Sequence, residues 1–178
     1  GTSTSFPVIV AAGANSAIPH HITSNKKIAK GELLLIDAGI LYENYTSDVS
    51  RTYAIGKASE RQHEAYAAVY DALKKSIGRI KSGARAKDLY ITANSVLKER
   101  FGKEMVHALG HGIGLQDHDE PGAINAKSNW KLRPWMVLAV EPAVYIKRFG
   151  GIRIEDNLVV KGNGCRKLTK APRELPII

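Results

Sequence analysis

The chain has 178 residues, and its 44% hydrophobic and 24% charged residues are typical of a globular protein with one core. No apolar run approaches the roughly 20 residues of a membrane span, and we expect no signal peptide. The net charge of +9 would allow nucleic-acid binding, but the basic residues are scattered. We therefore expect a solvated basic surface and neither nucleic acid nor a membrane as a partner.

Cys165 is the single cysteine of the chain. An intrachain disulfide and a cysteine-based zinc site are therefore excluded. A lone cysteine also favours a reducing compartment, and we expect a cytoplasmic location.

Residues 6–57 are predicted to form strands. The apolar runs FPVIVAA and ELLLIDAGI are short, and TSDVSRTYAIG is β-branched and partly alternating. Glycine, asparagine and lysine residues separate these runs, as expected for turns between strands.

Two helices are predicted to follow. Ser59 and Gln62 have the spacing of a capping box, and apolar residues then recur at helical spacing from Tyr66 to Ile80. The sequence SGAR ends this helix. A second helix carries its apolar face from Leu89 onwards, and Gly102 closes it.

The last third of the chain returns to strands, in MVLAVEPAVYI, GIRIEDNLVVKG and CRKLTKAP. Strands, then a helix pair, then strands again predict an α+β fold. No linker or low-complexity tract interrupts the chain, so we expect one domain over residues 1–178.

Three histidines lie within twelve positions in the segment HALGHGIGLQDHDEP, namely His107, His111 and His118. Glycines flank them, which is typical either of a surface loop or of a loop that lines a site. The density of the cluster favours the site.

Four acids interrupt predicted strands in a way that suits metal binding. Asp37 ends LLLID, Asp48 lies in TSDVSRT, Glu141 follows VLAV and Glu155 follows GIRI. Each acid alone is explained equally well by a strand end that points to water. Together with a histidine they form a donor set for manganese, cobalt, zinc or iron. Two divalent ions roughly 3.5–4 Å apart would balance four buried negative charges.

Asp37, Asp48, His111, Glu141 and Glu155, in this order and in these settings, resemble the ligands of the dinuclear metallopeptidases of the M24 type with the pita-bread fold. That family includes methionine aminopeptidase, aminopeptidase P and prolidase. The resemblance implies a curved antiparallel sheet with covering helices and two divalent ions (manganese, cobalt or zinc). It further implies that Asp37 chelates one ion, that Asp48 and Glu155 bridge both, and that His111 and Glu141 complete the site around a shared water.

The same resemblance assigns roles to residues around the metals. His107 and His118 match histidines that position substrate and handle protons, and His20 matches a further active-site histidine. The resemblance and the position of Glu141 make this residue the expected general base and proton shuttle. We assign His20, His118 and Arg153 to substrate binding. Catalysis is assigned to Glu141, His118, His107 and His20.

Arg153 has two interpretations. It either pairs with a nearby carboxylate such as Asp156, or it orients active-site acids or a substrate carboxylate. The sequence RIED around it, HDEP, and the closing LTKAPREL resemble the aminopeptidase P and prolidase branch.

This branch implies an exopeptidase that cleaves the Xaa-Pro bond of dipeptides or longer peptides, the choice between these being open. The expected partner is a peptide with proline at its second position. Because homodimers are common in the family, the resemblance also allows a homodimer. The alternatives are a methionine aminopeptidase and a binding module without catalysis, but binding-only relatives typically lose one of the five ligands.

Family members usually carry a helical segment before the first strand found here. We therefore expect that the catalytic domain at residues 1–178 is truncated on its N-terminal side. The motifs that carry the resemblance run from about residue 7 to residue 175.

Overall fold

A computed structural model describes residues 3–178. Two α-helices lie in the middle of the chain, α1 (Glu60–Ile77) and α2 (Ala86–Phe101). A short 3-10 helix covers Gly13–Ala17. The strands are β1 (Ser3–Thr4), β2 (Ile9–Ala12), β3 (Leu33–Ala38), β4 (Ile40–Tyr42), β5 (Tyr45–Thr46), β6 (Val49–Ala54), β7 (Gly110–Gly112), β8 (Asp119–Ile124), β9 (Val137–Val140), β10 (Ala143–Ile146), β11 (Gly150–Arg153), β12 (Asp156–Lys161) and β13 (Gly164–Lys167).

Two antiparallel sheets make up most of the fold. One has three strands in the order β2-β3-β6, and the other has five in the order β13-β12-β9-β7-β8. A hairpin of β10 and β11 and a small sheet of β1, β4 and β5 complete the strands. The helices form one core with the larger sheet and the hairpin, in which Leu73, Leu89, Leu138 and Ile152 are buried.

The helices form for the reasons that the sequence indicates. The Ser59 hydroxyl accepts from the Gln62 backbone N–H, and the Gln62 side chain accepts from the Ser59 N–H, which completes the capping box. Gly102 ends α2 in the left-handed conformation, with φ of 64°. The prediction was wrong at one boundary. Helix α1 ends at Ile77, and Ile80 reaches the core from a tight turn beyond it.

The segment HALGHGIGLQDHDEP, expected to be a loop, contains strand β7 and the start of β8. A Cβ at Gly110 would lie 2.0 Å from the carbonyl oxygen of Ala139, and a Cβ at Gly112 would lie 2.2 Å from that of Glu120. These glycines are therefore required by close strand packing and not by a turn. Because glycine has low strand propensity, the sequence gives no strand signal here.

The C-terminal segment is less regular than predicted. Strand β13 (Gly164–Lys167) pairs with β12, so only the first three residues of the predicted strand CRKLTKAP lie in a strand. The chain beyond it runs back to β6, where the Ala54 N–H donates to the Pro176 carbonyl at 2.9 Å.

Within residues 3–178, neither α-helix combines the length and the apolar character that a membrane crossing requires.

Candidate metal centre

The five predicted ligands come from five separate points of the two sheets. Asp37 lies in β3, and Asp48 directly precedes β6. His111 is the middle residue of β7, Glu141 directly follows β9, and Glu155 lies between β11 and β12. Four of them line a cavity of about 430 Å³, and the fifth, Glu155, is grouped with Asp48 and His111.

The geometry of three donors is tight enough for a metal ion. One ligand atom each from Asp48, His111 and Glu155 lies within 4.8 Å of the others. His111 Nε2 is also 3.7 Å from Asp48 Oδ2 and 3.8 Å from Glu141 Oε1. The opposite ring atom, Nδ1, lies 3.0 Å from the Gly112 carbonyl, which requires Nδ1 to carry the proton. Nε2 is therefore free to donate its lone pair to a metal.

Three carboxylate oxygens in this cluster are buried without a hydrogen-bond partner among residues 3–178: Asp37 Oδ1, Asp48 Oδ1 and Glu155 Oε1. A buried carboxylate oxygen without a partner is costly, and such groups are rare in folded proteins. A cation bound among these acids would give such oxygens a partner.

The pKa values of the acids are shifted by burial and by repulsion between their negative charges. Burial, and after it the charges of Glu155, Asp37 and Glu141, raises the pKa of Asp48 to about 10. Burial and the neighbouring Asp37 raise the pKa of Glu155 to about 7. The pKa of Glu141 also rises well above its usual value, through burial and the charge of Glu155. The carboxylates can all be ionised at neutral pH only if cations compensate them.

The donor chemistry fits divalent ions. Carboxylate oxygens and one imidazole nitrogen, without thiolates, suit manganese, cobalt, iron and zinc. Burial lowers the pKa of His111, so that its imidazole is neutral and competent as a ligand at neutral pH.

Backbone and side-chain hydrogen bonds between the sheets fix the acids in place. The Glu155 N–H donates to the Ser50 carbonyl at 3.1 Å. The Asn157 side chain accepts from the Asp48 N–H at 3.2 Å and donates to the Asp48 carbonyl at 2.8 Å. Asn157 therefore holds Asp48 as a paired strand would, although β6 and β12 are not neighbours in one sheet.

Arg153 is 2% exposed and contacts the acids of the cluster directly. Its guanidinium pairs with Asp37 through Nη2, and its Nε lies 3.9 Å from Glu141 Oε2 and donates to Ser50 Oγ at 2.7 Å. The suggested pairing with Asp156 is wrong. Asp156 points to the other side of the backbone, because neighbouring residues of an extended chain face opposite ways.

Asp156 is fully buried in a different ion pair. Its Oδ1 accepts from Arg51 Nη2 at 2.8 Å, and its Oδ2 accepts from Arg173. Arg51 also donates to the carbonyl oxygens of Glu155, Ala171 and Pro172. We call Arg51, Asp156 and Arg173 the arginine network.

The predicted histidines lie in different surroundings. His118 is exposed at the mouth of the cavity, where its ring stacks on His111 with centroids 3.9 Å apart. His20 also lines the cavity. His107 is further back, with Nδ1 2.7 Å from the Ala108 carbonyl and Nε2 2.9 Å from the Tyr145 hydroxyl. Burial lowers the pKa of His107 to about 4. His63, expected on the surface, is exposed on α1.

Sequence reasoning missed several residues around the cluster. Tyr145 accepts a hydrogen bond from Arg153 Nη1 at 2.7 Å, and Asn157 and Ser50 hold the acids as described. His21 lines the cavity, and its Nε2 is buried without a partner in the described part of the chain. Tyr145 closes the motif AVEPAVY, which was the available signal. Asn157 and Ser50 carry no signal, because both act across distant parts of the chain.

A model of metallopeptidase family M24 matches residues 1–162. The chain belongs to this family. The Xaa-Pro dipeptidase of Pyrococcus furiosus is 42% identical to this M24 chain over 171 residues, which cover 96% of the chain and 49% of that relative. The chain thus spans about half the length of the curated relatives it matches.

Solved structures of the family have the same fold. An Xaa-Pro dipeptidase from Bacillus anthracis superposes with a TM-score of 0.95 at 38% identity, over 99% of this chain and 50% of that one. An X-Pro aminopeptidase from Thermotoga maritima also reaches 0.95, at 37% identity and with the same coverage. The α+β pita-bread fold expected from the resemblance is confirmed, and a metallopeptidase of this family has a divalent-metal site. The role of each individual residue stays a prediction.

Proposed function

We propose that the protein is a metal-dependent exopeptidase that releases the N-terminal residue from dipeptides or longer peptides with proline at the second position. The observation that carries this proposal is the buried convergence of His111 with acids whose oxygens lack partners. The choice of Xaa-Pro bonds is supported by the relatives named Xaa-Pro dipeptidase and X-Pro aminopeptidase.

The proposed cofactor is a pair of manganese, cobalt or zinc ions held by Asp37, Asp48, His111, Glu141 and Glu155. Asp48 and Glu155 are central in the cluster and would serve both ions. Two divalent ions in such a site supply a water that is deprotonated near neutral pH. Their four positive charges would match the four negative charges of the carboxylates.

Glu141 is placed to move the proton. Its side chain is only partly buried and has an edge that faces the cavity, unlike Glu155, which is fully enclosed. An ionised carboxylate with an edge towards the cavity can accept a proton from the attacking water. The proline nitrogen, like any departing amide nitrogen, must receive a proton as the C–N bond breaks. Glu141 would deliver it.

The cavity walls divide the remaining tasks. His118, at the mouth and against His111, is placed to donate to the carbonyl oxygen of the scissile bond. Asp37, fixed by Arg153, offers negative charge to the free amino terminus. Phe6, Ile9 and Ile22 form an apolar wall for the first side chain of the substrate. A site that binds a free amine beside Asp37 acts on chain ends only.

The test is hydrolysis of matched Xaa-Pro and Xaa-Ala peptides by the protein, freed of metal and then supplied with manganese, cobalt or zinc. We expect activity only with metal, and much slower release from the Xaa-Ala peptide. His118→Ala is expected to lower turnover while metal content is retained. His111→Ala is expected to remove metal and activity together.

Two outcomes would contradict the proposal. Removal of methionine before small residues, with no action on proline, would make the protein a methionine aminopeptidase. Full metal loading without hydrolysis of any of these peptides would favour a binding module. The cytoplasmic location and the homodimer stay predictions, which fractionation and sedimentation experiments would test.

A further inference from the structure

A second cavity, of about 980 Å³, lies next to the metal centre. His20 lines both cavities, and His107 and Tyr145 line the second one. We call it the basic cavity, because its rim carries Lys103, Lys147 and Arg148. Its volume is at the upper end of the range for pockets that take small ligands, which is roughly 300–1,000 Å³.

The partition between the two cavities is a chain of hydrogen bonds. Arg153 belongs to the lining of the metal cavity, and it donates to the Tyr145 hydroxyl at 2.7 Å and to the Pro19 carbonyl at 3.2 Å. On the other side of the partition, Tyr145 contacts His107 Nε2 at 2.9 Å. The basic cavity therefore adjoins the metal cavity, and His20 lines both of them.

The charge of the basic cavity is unbalanced. No acidic side chain lines it within residues 3–178, and its three cations form no ion pair with an acid of that part of the chain. Exposed apolar side chains stand beside the cations, with Ile18 53% and Val106 70% exposed. A ligand that matches this lining has a negative end and an apolar body.

We propose that the basic cavity binds the downstream part of a peptide substrate, with its C-terminal carboxylate on Lys103, Lys147 and Arg148. This inference rests on the proposed function and extends it. A dipeptide ends inside the metal cavity, whereas a tetrapeptide of the form Xaa-Pro-Xaa-Xaa passes His20 and reaches the cations. The protein is thus an aminopeptidase for short peptides with free carboxyl ends, in addition to any action on dipeptides.

The experiment compares three substrates: an Xaa-Pro dipeptide, the tetrapeptide Xaa-Pro-Ala-Ala with a free carboxylate, and the same tetrapeptide with a C-terminal amide. The test variant combines Lys103→Gln, Lys147→Gln and Arg148→Gln. The control variant combines Arg166→Gln, Lys167→Gln and Lys170→Gln, which are exposed, lie away from both cavities and remove the same charge.

We expect the test variant to raise the KM for the free-acid tetrapeptide about fivefold to tenfold, since each exposed ion pair contributes little alone. The dipeptide and the amide should change by less than about twofold, and the effect should shrink at high salt. An equal loss for acid and amide, or an equal effect of the control variant, would overturn the proposal.

Binding of the product peptide Pro-Ala-Ala to the metal-loaded protein gives a readout that needs no hydrolysis. Calorimetry should show tighter binding of the free acid than of its amide, and the test variant should remove that difference. If acid and amide bind the unmodified protein equally, the basic cavity is no carboxylate site. If no Xaa-Pro peptide is cleaved but the acid still binds preferentially, the proposed function fails while the anion site stands.

Discussion

The metal centre and the arginine network both contain buried carboxylates, and Glu155 of the first is adjacent in the chain to Asp156 of the second, yet the two sites compensate the charge in opposite ways. Asp156 lies between two arginines and needs nothing from outside the chain. Asp48 has no such cation, and its pKa rises to about 10. A buried acid that is paired with arginines stabilises the fold, whereas a buried acid without a cation is available to bind a positively charged ligand.

Arg153 supplies a cation to the metal centre itself. It pairs with Asp37 and approaches Glu141, so that it compensates part of the negative charge of the cluster. It leaves one oxygen each of Asp37, Asp48 and Glu155 without a partner. One arginine, in contact with two of the four acids, therefore cannot compensate the charge of all four.

The same substitution at the two buried aspartates should have opposite consequences, and this is the largest effect we expect. Asp156→Asn leaves Arg51 and Arg173 without their counter-charge and should lower the free energy of unfolding by about 3–5 kcal/mol. Asp48→Asn in metal-free protein at pH 7 should instead raise the free energy of unfolding, because the unfolded chain loses the Asp48 proton that the folded protein retains, and asparagine removes this penalty. Urea denaturation of both variants is the measurement. Equal losses would show that the two sites do not differ in this respect.

The pH dependence of stability separates the sites next. Between pH 7 and pH 9 the unfolded chain has lost the proton of Asp48, whereas the metal-free folded protein retains it. Raising the pH through this window should therefore lower the free energy of unfolding, by at most about 1.4 kcal/mol per pH unit for one proton. Denaturation at pH 7, 8 and 9 gives the slope, and Asp48→Asn should flatten it. A free energy of unfolding that rises with pH would contradict the assignment. So would a slope that Asp48→Asn leaves unchanged.

Arg173→Gln should have the smallest effect. Arg173 is 21% exposed in its side chain, and Asp156 keeps its pairing with the fully enclosed Arg51. We expect a loss of about 1 kcal/mol in the free energy of unfolding and no change in metal content. A loss as large as that of Asp156→Asn would mean that Arg173 carries the compensation that we assign to Arg51.

The sequence predicted the helices well, and it singled out acids and a histidine that lie close together in the fold, because both depend on local signals. The capping box at Ser59 and the acids that interrupt apolar strands are visible in single short segments. Strand β7 was missed because its glycines are required by contacts with β8 and β9, which lie far away in the chain.

The partners of the acids were predicted less well for the same reason. Arg153 and Asp156 are close in sequence, so their pairing was a natural interpretation, but extended backbone turns them to opposite sides. Asn157 supports Asp48 across 109 positions of the chain, and no local pattern indicates such a contact.

The central claim is that divalent ions compensate the negative charge of this acid cluster. Its most direct test is calorimetric titration of the metal-free protein with manganese. Two ions per chain are expected to bind, with uptake lost in Asp48→Asn and retained in Arg173→Gln. The absence of binding, or binding that Asp48→Asn leaves unchanged, would contradict the account.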